Sequence, residues 1–220
     1  MNRKFVVADT HYGHNNIVRG VSQWENPNAT RDFESVLEMN DAIVKSINDK
    51  VTKHDELYLI GDVAFGNVYT LVEFISRLKC GNIHVILGNH DQSIRDNRPF
   101  TIDHITETLH PLIAIEKFGK TILPNESEQF RTHDMFKTVS HRKTIKHEGQ
   151  SFVLDHYPLE AWNGSTRGTV MLHGHVHQAL NDSILNTEYR RFDMDWGYWQ
   201  RPVEISELFK LAAKRKKLNI

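Results

Sequence analysis

The sequence predicts an α/β fold, and three observations carry that reading. Short apolar runs of strand length alternate with stretches whose apolar residues recur at helical spacing. The chain has 220 residues, 39% of them hydrophobic, enough for a large core that needs no covalent staples. Five of the apolar runs end on Asp, Asn or His, directly or after one glycine.

Taken in order, residues 4–8 form a first strand, and Phe33, Val36, Leu37, Val44, Ile47 and Val51 then mark a helix behind the candidate caps Thr30 and Asp32. Residues 57–60 form a second strand, Leu71, Phe74, Ile75 and Leu78 a second helix, and residues 83–87 a third strand. Residues 97–149 are less regular, with polar stretches at 125–132 and 140–148, and are the expected place for a segment that shapes a substrate pocket. Two further strands follow at 151–154 and 169–172, then a closing helix over 202–213 with a basic end. Strands separated by helices imply a parallel sheet core. Without a repeat or a linker, residues 1–220 read as one domain.

Composition excludes several classes. The 27 basic and 28 acidic side chains leave a net charge of −1, which rules out unspecific coating of nucleic acid. One cysteine, Cys80, forms no disulfide within the chain and is expected to pack as a small hydrophobe. No apolar run approaches the length of a membrane span or a signal-peptide core, so a cytoplasmic protein is expected. The basic run at 214–217 reads as charge complementing a helix carboxyl terminus. Trp162, Trp196 and Trp199 read as core or rim aromatics, with a base-stacking platform near Trp162 as the lesser alternative.

Fourteen histidines remain to be explained. The strand-to-polar junctions read FVVA then Asp9-Thr10-His11, YLI then Gly61-Asp62, VIL then Gly88-Asn89-His90-Asp91, FVLD then His156, and VML then His173-Gly174-His175-Val176-His177. In open α/β sheets, ligands bind beyond the carboxyl ends of the strands, so these junctions converge on one pocket. Carboxylate, amide and imidazole without thiolate suit Mn²⁺, Fe, Zn²⁺ or Ni²⁺, and the inventory exceeds what one ion needs. Paired ions clamp the attacking and leaving oxygens of a phosphoryl displacement and lower the pKa of a water between them. A mononuclear structural zinc site would leave half of the set idle.

In their order, these blocks resemble the calcineurin-like metallophosphoesterases, whose motifs run Asp-x-His, Gly-Asp, Gly-Asn-His-Asp/Glu, a lone His and Gly-His-x-His. The stretch Asp9-Thr10-His11-Tyr12-Gly13-His14-Asn15-Asn16-Ile17, and Asp195-Trp196 leading to Arg201-Pro202-Val203, are similar to a compact bacterial and phage branch. The resemblance implies a four-layer α/β/β/α sandwich, two mixed sheets flanked by helices. It implies two divalent ions, Mn²⁺ first, with Fe, Zn²⁺ or Ni²⁺ as alternatives. Asp9, His11, Asp62 and His177 would hold one ion; Asp62, Asn89, His156 and His175 the other, with Asp62 as the bridge. His90 would face the substrate as acid or oxyanion donor, Asp91 would orient it, and Gly61, Gly88 and Gly174 would let the backbone turn tightly below the ligands. His14 is a substrate or supporting contact, or a surface histidine.

One departure matters for substrate. The protein phosphatase branch carries a downstream Asp-Arg-Gly whose arginine grips phosphomonoesters, whereas this chain continues Gly61-Asp62-Val63-Ala64-Phe65-Gly66. A diester has one fewer negative charge to compensate, so a phosphodiester of nucleotide or nucleic-acid type is the expected substrate. The alternatives are a phosphomonoesterase, with Arg95, Arg98, Arg142 or Arg167 as a substitute clamp, and a non-catalytic metal-binding scaffold.

Overall fold

The computed structural model describes residues 2–26, 29–100, 130–179 and 182–219. In chain order the strands are β1 (Lys4–Val7), β2 (Glu56–Ile60), β3 (Ile83–Ile86), β4 (Pro99–Phe100), β5 (Phe130–Arg131), β6 (Thr138–Ser140), β7 (Arg142–His147), β8 (Gln150–Asp155), β9 (Val170–His173), β10 (Arg191–Asp193) and β11 (Val203–Glu204). Among the described residues the longest helices are α1 (Val36–Lys50), α2 (Val68–Arg77) and a C-terminal helix, Ile205–Ala213.

Two mixed sheets carry the fold, in the orders β11-β1-β2-β3-β6 and β10-β9-β8-β7. Within the first, β1, β2, β3 and β6 are parallel and β11 is antiparallel. Within the second, β8, β9 and β10 are parallel and β7 is antiparallel. The parallel core expected from the alternation is thus present, but each sheet has an antiparallel edge. Those edges are short or polar strands that carry little hydrophobic signal.

The period-2 alternation of the strands sorts their side chains between layers. Phe5, Val7, Leu57, Leu59, Ile83 and Val85 pack under α1 and α2. Val6, Ala8, Tyr58, Ile60 and Ile86 face the second sheet, where Phe152, Leu154, Val170, Leu172 and Phe192 meet them. On the outer face of the second sheet, Val153 and Met171 are covered by Trp162 and Leu218, with Leu185 packed alongside. Helices, sheet, sheet and an outer layer of short helical turns make the four layers.

Two sequence expectations are corrected. Helix α1 starts at Val36 with Ser35 as its cap, whose Oγ accepts the Glu38 N–H at 3.2 Å, and not behind Thr30 or Asp32. The chain before it is drawn away, since the Arg31 N–H donates to the Ile17 carbonyl and the Gly20 N–H to that of Phe33. Residues 140–148 are largely strand: β7 pairs with β8 through a two-residue turn in which Glu148 and Gly149 have φ of 47° and 79°. Only Ile145 of β7 is buried, so its outer face hides the strand pattern. Trp162 is the core aromatic expected, buried with Nε1 donating to the Thr169 carbonyl at 2.8 Å, and only the lesser alternative of a platform is set aside. Residues 101–129, the greater part of the expected substrate-shaping segment, lie outside the described residues.

Cys80 is buried in the core. At the amino end of β2, the buried carboxylate of Asp55 accepts from Arg3 Nη2 at 2.8 Å, Thr52 N at 2.8 Å and Thr52 Oγ1 at 2.7 Å. Burial alone would raise its pKa, but the bonds from Arg3 and Thr52 outweigh that and hold it at about 2. A carboxylate depressed below its unfolded value of about 3.9 stabilises the fold fully above roughly pH 5 and less as the pH falls toward 2. Asp55→Asn should therefore cost about 2 kcal/mol at pH 7 in urea unfolding, and the deficit should narrow between pH 5 and pH 3.

Candidate metal centre

Five parallel strands end at one place. β1, β2 and β3 of the first sheet lead into Asp9, Asp62 and Asn89, while β8 and β9 of the second lead into His156 and the His175–His177 loop. The backbone at this junction is unusual. Asp9, His11, Asp62, His175 and His177 all have positive φ, between 46° and 74°. Each such non-glycine residue costs of order 1 kcal/mol or more, and clustering of that strain marks a site held for a purpose.

The side chains meet in two groups. Asp9, His11 and His177 present one ligand atom each within 4.8 Å of one another, and so do Asp62, His156 and His175. The two groups adjoin through Asp62, whose Oδ2 lies 3.7 Å from His11 Nε2 and whose Oδ1 lies 3.5 Å from His156 Nε2. Asn89 joins the second group, its Oδ1 at 3.1 Å from His156 Nε2. His11 Nε2 faces His177 Nε2 at 3.2 Å, and His11 Nδ1 faces His14 Nδ1 at 3.2 Å.

Space below these groups is reserved by glycine. A Cβ at Gly61 would stand 2.2 Å from His156 Nδ1, and its φ of 75° disfavours any other residue. Gly88 and Gly174 do not have positive φ, so the tight-turn role expected for them is replaced by one of clearance. A Cβ there would stand 2.3 Å from Asp62 Oδ1 and 2.4 Å from Asp9 Oδ2.

The electrostatics suit a divalent cation. Asp9 is fully buried, and burial, then Asp195, Asp193 and Asp62, push its carboxyl well above the usual carboxylate range. Burial, and then Asp195, lift Asp193 to about 6. The pocket is therefore short of positive charge. Burial also pushes His11, His156 and His175 down, so their imidazoles are neutral and have lone pairs to offer. Burial takes His14 down to about 4. Oxygen and nitrogen donors alone, with His156 Nδ1 anchored at 3.1 Å from the Ile60 carbonyl, make a set that fits two borderline divalent ions.

Supporting residues complete the centre. Asp91 accepts the N–H groups of Asp62 at 2.9 Å, Val63 at 2.8 Å and Gly88 at 2.8 Å, tying two ligand loops together. Its hydrogen bonds thus go to backbone, in place of an orienting bond to the His90 ring. His90 is exposed at the rim, its N–H donating to Asp62 Oδ1 at 2.9 Å and its ring 5.0 Å from that of Phe65. Two further residues have no sequence signal as a pair. Arg31 is buried and donates to the carbonyls of Asp9 and Thr10, and to Asp195 Oδ1 at 3.2 Å. Asp195 Oδ1 in turn lies 3.5 Å from His177 Nδ1. Burial works against it, but His177 and Arg31 hold the Asp195 carboxyl low. Asp195 stands in the block quoted for the branch resemblance; Arg31 is a lone arginine 22 residues past Asp9 that only the fold brings back.

The centre opens into a cleft of about 1350 Å³, reached past His11, His90 and His177 and walled by Trp24, Phe65 and Tyr198.

A family model described as calcineurin-like phosphoesterase matches residues 2–198. An uncharacterized protein of Methanocaldococcus jannaschii is 26% identical over 220 residues, covering 98% of this chain and 94% of its own. A crystal structure of a protein of unknown function from Aquifex aeolicus superposes with a TM-score of 0.60 at 17% identity, covering 96% of this chain and 100% of that one, which shows a shared fold.

Removing one partner of a buried ion pair leaves the other charge stranded, at a cost of about 3–5 kcal/mol. Arg31→Met should therefore lower the unfolding free energy by that order in urea titration. A second substitution, Asp195→Asn, made on top of it should cost far less than it does alone.

Proposed function

The chain belongs to the calcineurin-like phosphoesterase family, and on that premise we propose that it hydrolyses phosphodiesters of nucleotide or nucleic-acid type with two divalent ions, Mn²⁺ before Fe, Zn²⁺ or Ni²⁺. The observation that carries the reading is the pair of ligand groups adjoining through Asp62 at the carboxyl ends of both sheets. In it, Asp9, His11, Asp62 and His177 hold one ion, and Asp62, Asn89, His156 and His175 hold the other. Two such ions supply a water of lowered pKa and neutralise charge on the phosphoryl oxygens.

The protein side of the reaction follows from placement. The phosphoryl group sits at the mouth of the cleft, between the ligand groups and the His90 ring. A P–O bond forms from the attacking water, which releases a proton to solvent, as the P–O bond to the leaving alkoxide breaks. His90 donates a proton from its imidazole to that leaving oxygen. Its backbone tie to Asp62 fixes where the ring stands relative to the ligands. Asp91 acts at one remove, by holding the Asp62 and Gly88 backbones. His14 stacks on Phe65 with ring centroids 3.8 Å apart and braces His11.

Preference for a diester is supported by the arginines. Val63-Ala64-Phe65 follow Asp62 where a guanidinium would grip a dianionic monoester. The expected substitutes are committed elsewhere: Arg95 donates to the Gly88 carbonyl at 2.6 Å, Arg98 pairs with Asp96 at 3.3 Å and Arg142 with Asp155 at 2.6 Å. Arg167 lines a separate hollow with Glu148, Gln150 and Phe209. The whole chain acts as one domain in this reading, in the cytoplasm. No helix among the described residues is long and apolar enough to cross a membrane.

After loading with Mn²⁺, elemental analysis should find about two ions per chain, and Asp62→Ala should lower occupancy at both positions. A stoichiometry of one with Mn²⁺, Zn²⁺ and Ni²⁺ alike would sink the binuclear assignment. His90→Ala should keep its metal yet lose about 10²–10⁴-fold in kcat on esters with poor leaving groups, and less on activated aryl esters. Absence of any metal-dependent hydrolysis in the wild type would favour the scaffold. The kcat/KM should be higher on bis-p-nitrophenyl phosphate than on p-nitrophenyl phosphate; the reverse order would reinstate the phosphomonoesterase.

A further inference from the structure

We propose that the cleft beside the ligand groups is a nucleoside subsite, in which Trp24, together with Phe65 backed by the buried His14, stacks the base of a small nucleotide diester. The proposal rests on the phosphodiesterase reading and names the arm of the ester that the cleft selects.

The wall is aromatic and already braced. The Phe65 and His14 rings are stacked, 9° from parallel, and Trp24 stands edge-on to His14 at 5.7 Å and 81°. These rings form a continuous path along the cleft from Trp24 to His90, whose centroid is 5.0 Å from that of Phe65. Trp24 is 42% exposed and Tyr198 63%, so both rings line the cleft with apolar surface that a planar ligand can cover. A planar heterocycle meets that description, because every base has a π-face and pairs with an aromatic side chain whatever its sequence. Asn16 and Gln200 line the same cleft and offer amide donors and acceptors to a base edge.

Charge and size narrow the occupant further. A nucleic-acid strand needs a run of unengaged cations along its phosphates. The cleft has two arginines among its described residues, and both are spent: Arg19 pairs with Asp32 at 2.6 Å, and Arg31 is buried on Asp195 and the Asp9 and Thr10 carbonyls. At about 1350 Å³ the cleft exceeds the roughly 300–1000 Å³ of an ordinary small-molecule pocket, so it takes a nucleoside arm on one side of the phosphorus and leaves room for a second. Contiguity with the ligand groups places the arm within one phosphate of the reacting centre.

The test compares thymidine 5′-(p-nitrophenyl phosphate) with methyl p-nitrophenyl phosphate, two diesters of equal charge and identical leaving group, on the Mn²⁺-loaded protein. The wild type should prefer the nucleoside ester in kcat/KM, and Trp24→Ala should collapse that preference by roughly 5- to 150-fold, the usual value of one stacked base. Trp24→Phe should retain most of it. Equal rates on both esters, or an equal fall on both in Trp24→Ala, would overturn the subsite while leaving the phosphodiesterase reading intact. If neither ester is hydrolysed, that reading fails separately, and intrinsic fluorescence still decides the subsite. AMP should quench the tryptophan signal and ribose 5-phosphate should not, with the AMP effect absent in Trp24→Phe. Quenching by neither ligand, or by both alike, would refute the subsite. Salt-sensitive competition by a single-stranded oligonucleotide at far lower concentration than AMP would overturn the commitment to a small nucleotide.

Discussion

The carboxylate of Asp9 joins the two sheets, and most of the centre is arranged around burying it. It leaves the end of β1 in the first sheet, yet both its oxygens accept the N–H of His175 from the second, at 3.1 and 2.9 Å. Its Oδ1 also lies 3.9 Å from His156 Nδ1, beyond β8. A carboxylate without solvent must be compensated, or it takes up a proton. One buried guanidinium, that of Arg31, is shared among the Asp9 carbonyl, the Thr10 carbonyl and Asp195. The remaining deficit of positive charge, with neutral imidazoles turned toward it, is what makes the pocket receptive to divalent cations.

That arrangement is expensive in backbone terms. Five of the ligand-type residues are held in the left-handed region, where a side chain on Cβ crowds the following carbonyl. The surrounding hydrogen bonds keep them there: the His11 N–H donates to the Asp62 carbonyl at 3.0 Å, the Asp9 N–H to that of Gly61 at 3.1 Å, and the Gly174 N–H to that of His156 at 3.0 Å. Each of these bonds links one ligand-bearing turn to another. The result is a set of donors fixed before anything binds, which spares the binding step the entropy of ordering them.

The same rigidity separates two jobs. Chemistry is assigned to turns that the sheets hold in place. On the proposed reading, selection falls to the cleft wall, where Trp24 stands on a segment with few regular hydrogen bonds and Tyr198 on a single turn of helix. Surface segments tolerate substitution because little packs on them, so relatives with the same centre are free to differ in what they admit.

Much was legible in the sequence because both the strand pattern and the strand-to-ligand junctions are local. Phe5 to Ala8, Leu57 to Ile60 and Phe152 to Leu154 declare themselves as buried strands by being apolar without interruption, and Asp9, Asp62, Asn89, His156, His175 and His177 follow at once. Those residues identify the family and the kind of chemistry. The start of α1 was misread because Thr30 and Asp32 are good caps in isolation, while tertiary contacts pull Arg31 toward Asp9. β7 was missed because one buried residue in six leaves no alternation to see. Only the tertiary structure could turn the junctions into two groups joined by Asp62, assign Asp91 to backbone, demand clearance at Gly88 and Gly174, and bring Trp24 against His14 in the cleft wall. Those are distances between residues far apart in the chain. A sequence encodes which side chains are available along each strand, whereas their separation in space is set by the register and twist of two packed sheets.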